Sequence, residues 1–386
     1  MRVLFFSRDY TTHDRRFLQK LSESEHQIFF LRLEDNGAGY ERRPLPANVQ
    51  LVDWEGGRTA HSHADAWLAL MPSLEKVLAE VRPNLVHAGP VPSCGLMMAL
   101  TGFRPLIVMS WGSDLLYDAE RDPTSRWMAK FALERSDYLV CDCRAVARQA
   151  RAITNVAPAR TVQFPWGIDL NEYQPGKYRA TMRRELGMEE NFIVLSPRSW
   201  EPIYDIETTL TAFALAHSHN SRLRLLMPGG GSLSPLVGRF VEEYGLSAAV
   251  LRPGILRRDE LLKAFDAADL YISCALADGT SISLLEAMAM NVPPIVTDLP
   301  SNREWVSDES RGWLAPAGDC AAFASAILAA ANSSADQLRD ITERNRQMVE
   351  IRADWDKNFP ELLQSYAELD RFSFSNRARQ GAVTAS

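Results

Sequence analysis

Short continuous apolar runs recur along the chain. Each gives way to a polar loop, often containing Gly or Pro, and most are followed by a stretch whose apolar positions fall on one helical face. In the first half the runs lie at 3–6 (VLFF), 27–33, 49–53, 84–88 (NLVHA), 105–109 (PLIVM) and 138–141 (YLVC). In the second half they lie at 192–196 (FIVLS), 222–227, 250–253, 270–273 (LYIS) and 294–297 (PIVT). Continuous rather than alternating hydrophobicity predicts strands buried on both faces, as in parallel sheets. The helical pattern includes Phe17, Leu18 and Leu21 on one face, with Thr11 or Thr12 as cap and Asp14 in the first turn. Further helices are predicted over 65–81, interrupted near Pro72, and over 206–216, 259–265 and 282–290. An alanine-rich helix begins near Cys320, and a last one spans 334–370 with a break at Pro360. Strand and helix alternate throughout, which predicts an α/β fold of doubly wound sheets.

At 386 residues the chain exceeds what one core usually holds, so two domains are expected. The Pro-Trp-Gly turn in FPWGIDLNEYQP (164–175) is the best crossing point. The expected division is 1–170 and 171–350, with a helix over 351–372 crossing back to the first domain and a polar, disordered tail over 373–386. The net charge of -7 argues against a nucleic-acid partner. Arg15, Arg16, Lys20, Arg42 and Arg43 read first as a solvated face, and second as peripheral contact with an anionic membrane surface. The five cysteines, Cys94, Cys141, Cys143, Cys274 and Cys320, lack a C-x-x-C spacing, which favours reduced thiols and a cytoplasmic setting. The first strand is too short for a signal peptide's apolar region, and no run approaches the length of a membrane-spanning helix.

Candidate chemistry concentrates at 270–298, where a strand, a polar loop, a short apolar helix and a second strand follow one another. In such a unit the loop and helix N-terminus sit at the carboxyl edge of the sheet, where backbone N–H groups favour an anion such as a diphosphate. Asp278 and Glu286 bracket that loop and, as acceptors, suit sugar hydroxyls. The plainer reading, a capped helix with ordinary charges, stays open. His13 follows the first strand and either faces a ligand or lies on the surface. Trp111 and Asp114 follow the PLIVM strand, and Asp114 is read as facing the site rather than merely capping a helix. Gly229 and Gly230, in a Pro-Gly-Gly-Gly turn, permit close backbone approach to a ligand. His61 and His63 lack the companions of a metal site and read as loop residues. The Asp354-Trp355-Asp356 triplet falls within a predicted helix and reads as a surface feature.

Taken in order, WGSD (111–114), FPWGIDLNEYQP, SPRSWEP (196–202), LLMPGGG (225–231) and ADGTSISLLEAMAMNVPPIVTD (277–298) span most of the chain. Together they resemble the retaining glycosyltransferases of family 4, the last being similar to that family's E-x7-E signature. The resemblance implies a GT-B fold of two facing Rossmann-like domains and a donor that is a nucleoside diphosphate sugar of the UDP or GDP type. It also implies transfer without a metal or other cofactor, to a carbohydrate or lipid-linked acceptor held by the N-terminal domain. By the same resemblance Glu286 holds the ribose, Asp278 the donor sugar, and Arg198 with the amides near Thr280, Ser281 and Ile282 the diphosphate. Backbone around Ile255 meets the base. Asp278, Asp114 and His13 are then the catalytic candidates, and Trp111 is an apolar wall on the acceptor side.

Four features depart from the pattern. Asp278 stands for Glu; Ile203 and Tyr204 stand where a Lys is expected; Tyr10 to His13 replace a Gly-Gly pair; and Trp111 stands where a His often precedes Gly-x-Asp. Two alternatives follow: a catalytically idle sugar-nucleotide-binding partner subunit, and a GT-B-like sugar-nucleotide epimerase, for which no acid–base pair can be assigned. A NAD enzyme ranks last, because no G-x-G-x-x-G follows the first strand.

Overall fold

The computed structural model describes residues 1–35, 41, 43–58, 64–157 and 160–371, and the backbone of 372–383. Arg42, His61 and His63 lie outside the described residues. The chain divides into two units, Met1–Phe164 with Phe359–Ser386, and Pro165–Asn358. The division falls inside the FPWGIDLNEYQP stretch, at Phe164 rather than 170.

The first unit holds β1 (Arg2–Ser7), β2 (Gln27–Arg32), β3 (Val49–Leu51), β4 (Leu85–Gly89), β5 (Leu106–Met109), β6 (Tyr138–Cys141) and β7 (Thr161–Gln163). They form one parallel sheet in the order β3-β2-β1-β4-β5-β6-β7. Strand β7 was not expected, since Thr161–Gln163 is too short and too polar to register as an apolar run. Successive side chains alternate across the sheet, so Leu4, Phe6, Val86, Ala88, Leu106 and Val108 share one core cluster, which also takes in Cys141 and Cys143. The opposite face carries Phe5 and His87, against which the C-terminal helix Pro360–Val383 places Tyr366. That helix belongs to this unit. Its backbone continues to Val383.

The second unit holds β8 (Phe192–Leu195), β9 (Leu223–Leu226), β10 (Val250–Leu251), β11 (Leu270–Ser273), β12 (Pro294–Thr297) and β13 (Trp313–Ala315), again parallel, in the order β10-β9-β8-β11-β12-β13. The chain reverses its direction of travel across the sheet between β8 and β11, so the loops leaving those two strands diverge around a crevice. The helix Ile282–Ala289 follows β11 and buries Leu284, Leu285, Ala287, Met288 and Ala289 under the sheet. The last helix, expected to break once at Pro360, is cut there and once more before it, into Ala335–Arg352, Trp355–Asn358 and Pro360–Val383. The first cut corrects the reading of Asp354 to Asp356 as surface residues within a helix. Ile168 pairs with Asp354 in a parallel bridge, Trp355 is buried, and Asp354 accepts from the amide of Asp356. Gly167 permits this approach, since a Cβ there would stand 2.0 Å from the carbonyl oxygen of Ala353.

His87 shares a 2.6 Å hydrogen bond through Nδ1 with the Tyr366 hydroxyl, and its Nε2 is buried without a partner. Burial pushes its pKa from 6.5 down to about 3. The unfolded chain therefore takes up a proton that the folded unit refuses, and stability falls as pH drops from about 6.5 toward 3. Unfolding midpoints measured across that range should fall less steeply for His87→Gln than for the wild type. The comparison isolates His87, because Asp14 and Asp114, which burial raises to about 6 and which act with the opposite sign, are present in both proteins and cancel in the difference.

Candidate functional site

In the second unit the site is built from the loops that leave β8 and β11. Arg198 stands three residues beyond β8, and its side chain turns toward the start of the helix Ile282–Ala289. Its Nη1 donates to Ser281 Oγ at 2.7 Å and Ser283 Oγ at 3.0 Å, and its Nη2 donates to Asp278 Oδ2 at 2.8 Å. The Tyr204 ring lies 4.1 Å from the guanidinium carbon, and Tyr271 braces Ser283 through a 2.8 Å hydroxyl pair. Arg198 is only 9% exposed. Burial works against its charge, but Asp278 and Tyr204 beside it raise its pKa overall, so it stays cationic. Ser281, the residue capping the helix, makes no side-chain cap bond, because its hydroxyl accepts from Arg198. The helix thus opens with uncapped amides next to a buried cation, an arrangement that receives anions.

The glycine turn after β9 closes over the same segment. The Trp200 amide donates to the Gly230 carbonyl at 2.9 Å and the Gly229 amide to Gly254 at 2.8 Å. Glu201 holds the turn from the other side, accepting from the Ser232 amide at 2.9 Å and from its hydroxyl. A Cβ on Gly230 would stand 3.8 Å from the side chain of Ile255, which is 64% exposed next to the turn. Glu286 lies in the second turn of the helix, 7% exposed, where it accepts a hydrogen bond from Tyr173 and has Arg258 4.0 Å away.

The structure therefore brings Arg198, from the loop after β8, together with Asp278 and Ser281 from the loop after β11, with Glu286 further along the helix that this loop opens, and it sets the turn of Gly229 and Gly230, beside Ile255, against the segment carrying Arg198. Thr280 and Ile282 flank Ser281 at the helix start, Thr280 being buried. Tyr204, Tyr271, Ser283, Tyr173 and Arg258 were missed. Tyr173, Tyr271 and Ser283 lay in stretches already singled out and Tyr204 was noted as standing where a Lys is expected, but nothing in their spacing ties them to Arg198 or Glu286.

In the first unit Asp114 is not aimed at a ligand, which corrects the site-facing expectation. One carboxylate oxygen accepts from Ser110 Oγ at 2.6 Å and the other from the Val91 amide at 2.9 Å. Deep burial, more than these bonds, sets its pKa, pushing it up to about 6. Asp114 thus ties two loops at the carboxyl edge of the sheet. His13 and Trp111 meet there, with ring centroids 5.7 Å apart, and Phe17 packs edge-on against the indole. Among the described residues, no group of three or more His, Cys, Asp or Glu is placed to hold a metal ion, and no helix is long and apolar enough to cross a membrane.

Residues 179–348 match the family model for glycosyl transferases group 1, and residues 10–167 match that of the glycosyl transferase 4-like domain. The chain belongs to the group 1 glycosyltransferases, of the family 4 type. This transferase is 26% identical over 274 residues to EpsD of Bacillus subtilis (strain 168), a protein with a glycosyltransferase name, covering 67% of this chain and 70% of that one. It is 22% identical over 285 residues to the UDP-Gal:alpha-D-GlcNAc-diphosphoundecaprenol alpha-1,3-galactosyltransferase of Escherichia coli, covering 71% and 72% of the two chains. Its fold is GT-B. The crystal structure of Anabaena Alr3699/HepE with UDP-glucose superposes with a TM-score of 0.79 at 17% identity, over 96% of this chain and 100% of that one.

A Cβ on Gly231 of the transferase would stand 2.5 Å from both the Trp200 carbonyl oxygen and Glu201 Oε1. Gly231→Ala should therefore displace the glycine turn and destabilise the protein by about 2 kcal/mol, read as a lowered denaturation midpoint, while Gly238→Ala serves as a control, since its Cβ would meet nothing nearer than the end of the Arg252 side chain at 3.8 Å.

Proposed function

We propose that the transferase moves a sugar from a nucleoside diphosphate sugar, of the UDP or GDP type, to an acceptor hydroxyl with retention of configuration and without a metal ion. The observation that carries this reading is the buried, charged Arg198 bonded to the residues that open the helix Ile282–Ala289. When the bond between the anomeric carbon and the diphosphate oxygen breaks, the electron pair leaves with the diphosphate. Arg198 and the amides at Thr280, Ser281 and Ile282 receive that growing charge. They are already oriented, so little reorganisation is needed as the charge develops. Glu286 holds the ribose hydroxyls, and the glycine turn with Ile255 borders the base. Asp278 has two successive tasks. It neutralises Arg198 before the donor arrives, then accepts hydroxyls of the donor sugar once the diphosphate has taken over the guanidinium.

On the acceptor side, His13 beside Trp111 is the titratable group of the first unit assigned to the reaction, since both oxygens of Asp114 are already bonded within the fold. We assign the reaction a carbohydrate or lipid-linked acceptor and a role in polysaccharide or glycolipid synthesis at the inner face of a membrane, a reading supported by the similarity to a galactosyltransferase named for a diphosphoundecaprenol-linked acceptor. A second reading, a donor-binding subunit that does not transfer, draws on Tyr204, which lies against Arg198 where the family pattern expects a Lys.

Thermal-shift measurements with UDP, GDP and their sugar conjugates, with and without EDTA, test the donor site. One nucleotide should raise the midpoint regardless of EDTA, and Glu286→Ala should abolish the shift. Arg198→Ala should lower the rate of donor turnover, followed as release of the nucleoside diphosphate, on the order of 10²-fold. Asp278→Ala should lower that rate with a smaller effect on nucleotide binding. Binding without turnover in the presence of candidate acceptors would favour the idle subunit.

A further inference from the structure

The stretch Glu172-Tyr173 follows the crossing into the second unit and has no task in the reaction proposed above, yet it is bonded to the site at several points. Tyr173 is 1% exposed, and its hydroxyl donates to Glu286 Oε1. Arg258, the first residue of the helix Arg258–Ala267, has Nη1 4.0 Å from the same oxygen and its guanidinium carbon 5.5 Å from the centre of the Tyr173 ring. Glu172 pairs with Arg258 and holds it in that place. On the backbone side, Arg346 Nη1 donates to the Tyr173 carbonyl at 2.7 Å and also to the carbonyl of Ala289, the last residue of the helix that carries Glu286.

We propose that Tyr173 is a positioning residue for nucleotide recognition: by donating to Glu286 Oε1 it aims that carboxylate, so that selectivity for the ribose hydroxyls depends on a residue that does not itself touch the ligand. This rests on the assignment of Glu286 to the ribose. A glutamate side chain has three rotatable bonds, so it keeps one orientation only where its carboxylate is held. The charge-assisted bond from a buried phenol supplies that constraint. Arg258 adds a positive charge on the same side of that oxygen. Because Arg346 fixes the Tyr173 backbone to the end of the same helix, the phenol and the carboxylate share one frame.

The test is calorimetric titration of the full-length protein with UDP and GDP and with their 2′,3′-dideoxy counterparts, for wild type, Tyr173→Phe, Glu286→Gln and the double variant. Removing one hydroxyl while keeping the buried ring, Tyr173→Phe should weaken binding of the preferred ribonucleotide about tenfold. Its affinity for the dideoxy analogue should stay the same, so that the ribose preference collapses. The two substitutions should also be non-additive, with the double variant no weaker than Glu286→Gln. A merely structural role would weaken both nucleotides alike and leave the preference intact. If the wild type prefers the ribonucleotide and Tyr173→Phe keeps that preference, the inference is overturned while the donor site stands. A wild type that binds no nucleotide, or binds both forms equally, overturns the assignment of Glu286 and the inference together.

Discussion

A guanidinium buried at the carboxyl edge of a parallel sheet has to be compensated, and that requirement organises the second unit. Arg198 loses most of its contact with water, a penalty of several kcal/mol for any ion without partners. The fold meets it with a carboxylate and two serine hydroxyls from Asp278, Ser281 and Ser283, and with the aromatic face of Tyr204. Each of those partners constrains something else. Bonding Ser281 removes it as a helix cap, bonding Ser283 draws in Tyr271, and pairing with Asp278 fixes the loop that precedes the helix. The buried charge that the proposed function assigns to a diphosphate is therefore also what shapes its own surroundings.

The position of that charge follows from topology. Parallel sheets put all their strand exits on one edge, and only where the order of strands reverses do neighbouring exits turn apart to leave room for a ligand. In the second unit that point lies between β8 and β11, whose loops carry Arg198 and Asp278. A hollow of about 390 Å³ lined by Pro175, Arg179, Asp269 and Pro293 lies at the opposite edge, where β11 and β12 begin, and holds none of these residues.

The first unit uses buried polar groups differently. Asp114 and Asp14 spend their bonds inside the fold, on Ser110 and Val91 in one case and on the Thr11 amide in a capping box in the other. His87 ties the central strand β4 to Tyr366 of the C-terminal helix. These groups hold loops and helices against the sheet, leaving His13 and Trp111 as the pair with chemistry at its edge. Asp114 shows how sequence position misleads: a carboxylate just beyond a strand occupies the same place in the chain whether it faces a ligand or braces a loop.

The sequence by itself determined the alternation of strand and helix, the two-domain organisation around FPWGIDLNEYQP, and the placement of Arg198, Asp278 and Glu286 beyond strand ends. Buried parallel strands announce themselves as unbroken apolar runs, and the polar residues that interrupt them must lie at their exits. Tertiary structure alone decided which of those residues meet. Arg198 and Asp278 are 80 positions apart, and Tyr173 and Glu286 113. Likewise Tyr204 stands where a lysine was expected, and only folding places its ring against the guanidinium. No local pattern records such contacts, because a side chain's partner is set by how strands are ordered in the sheet and how the loops between them close.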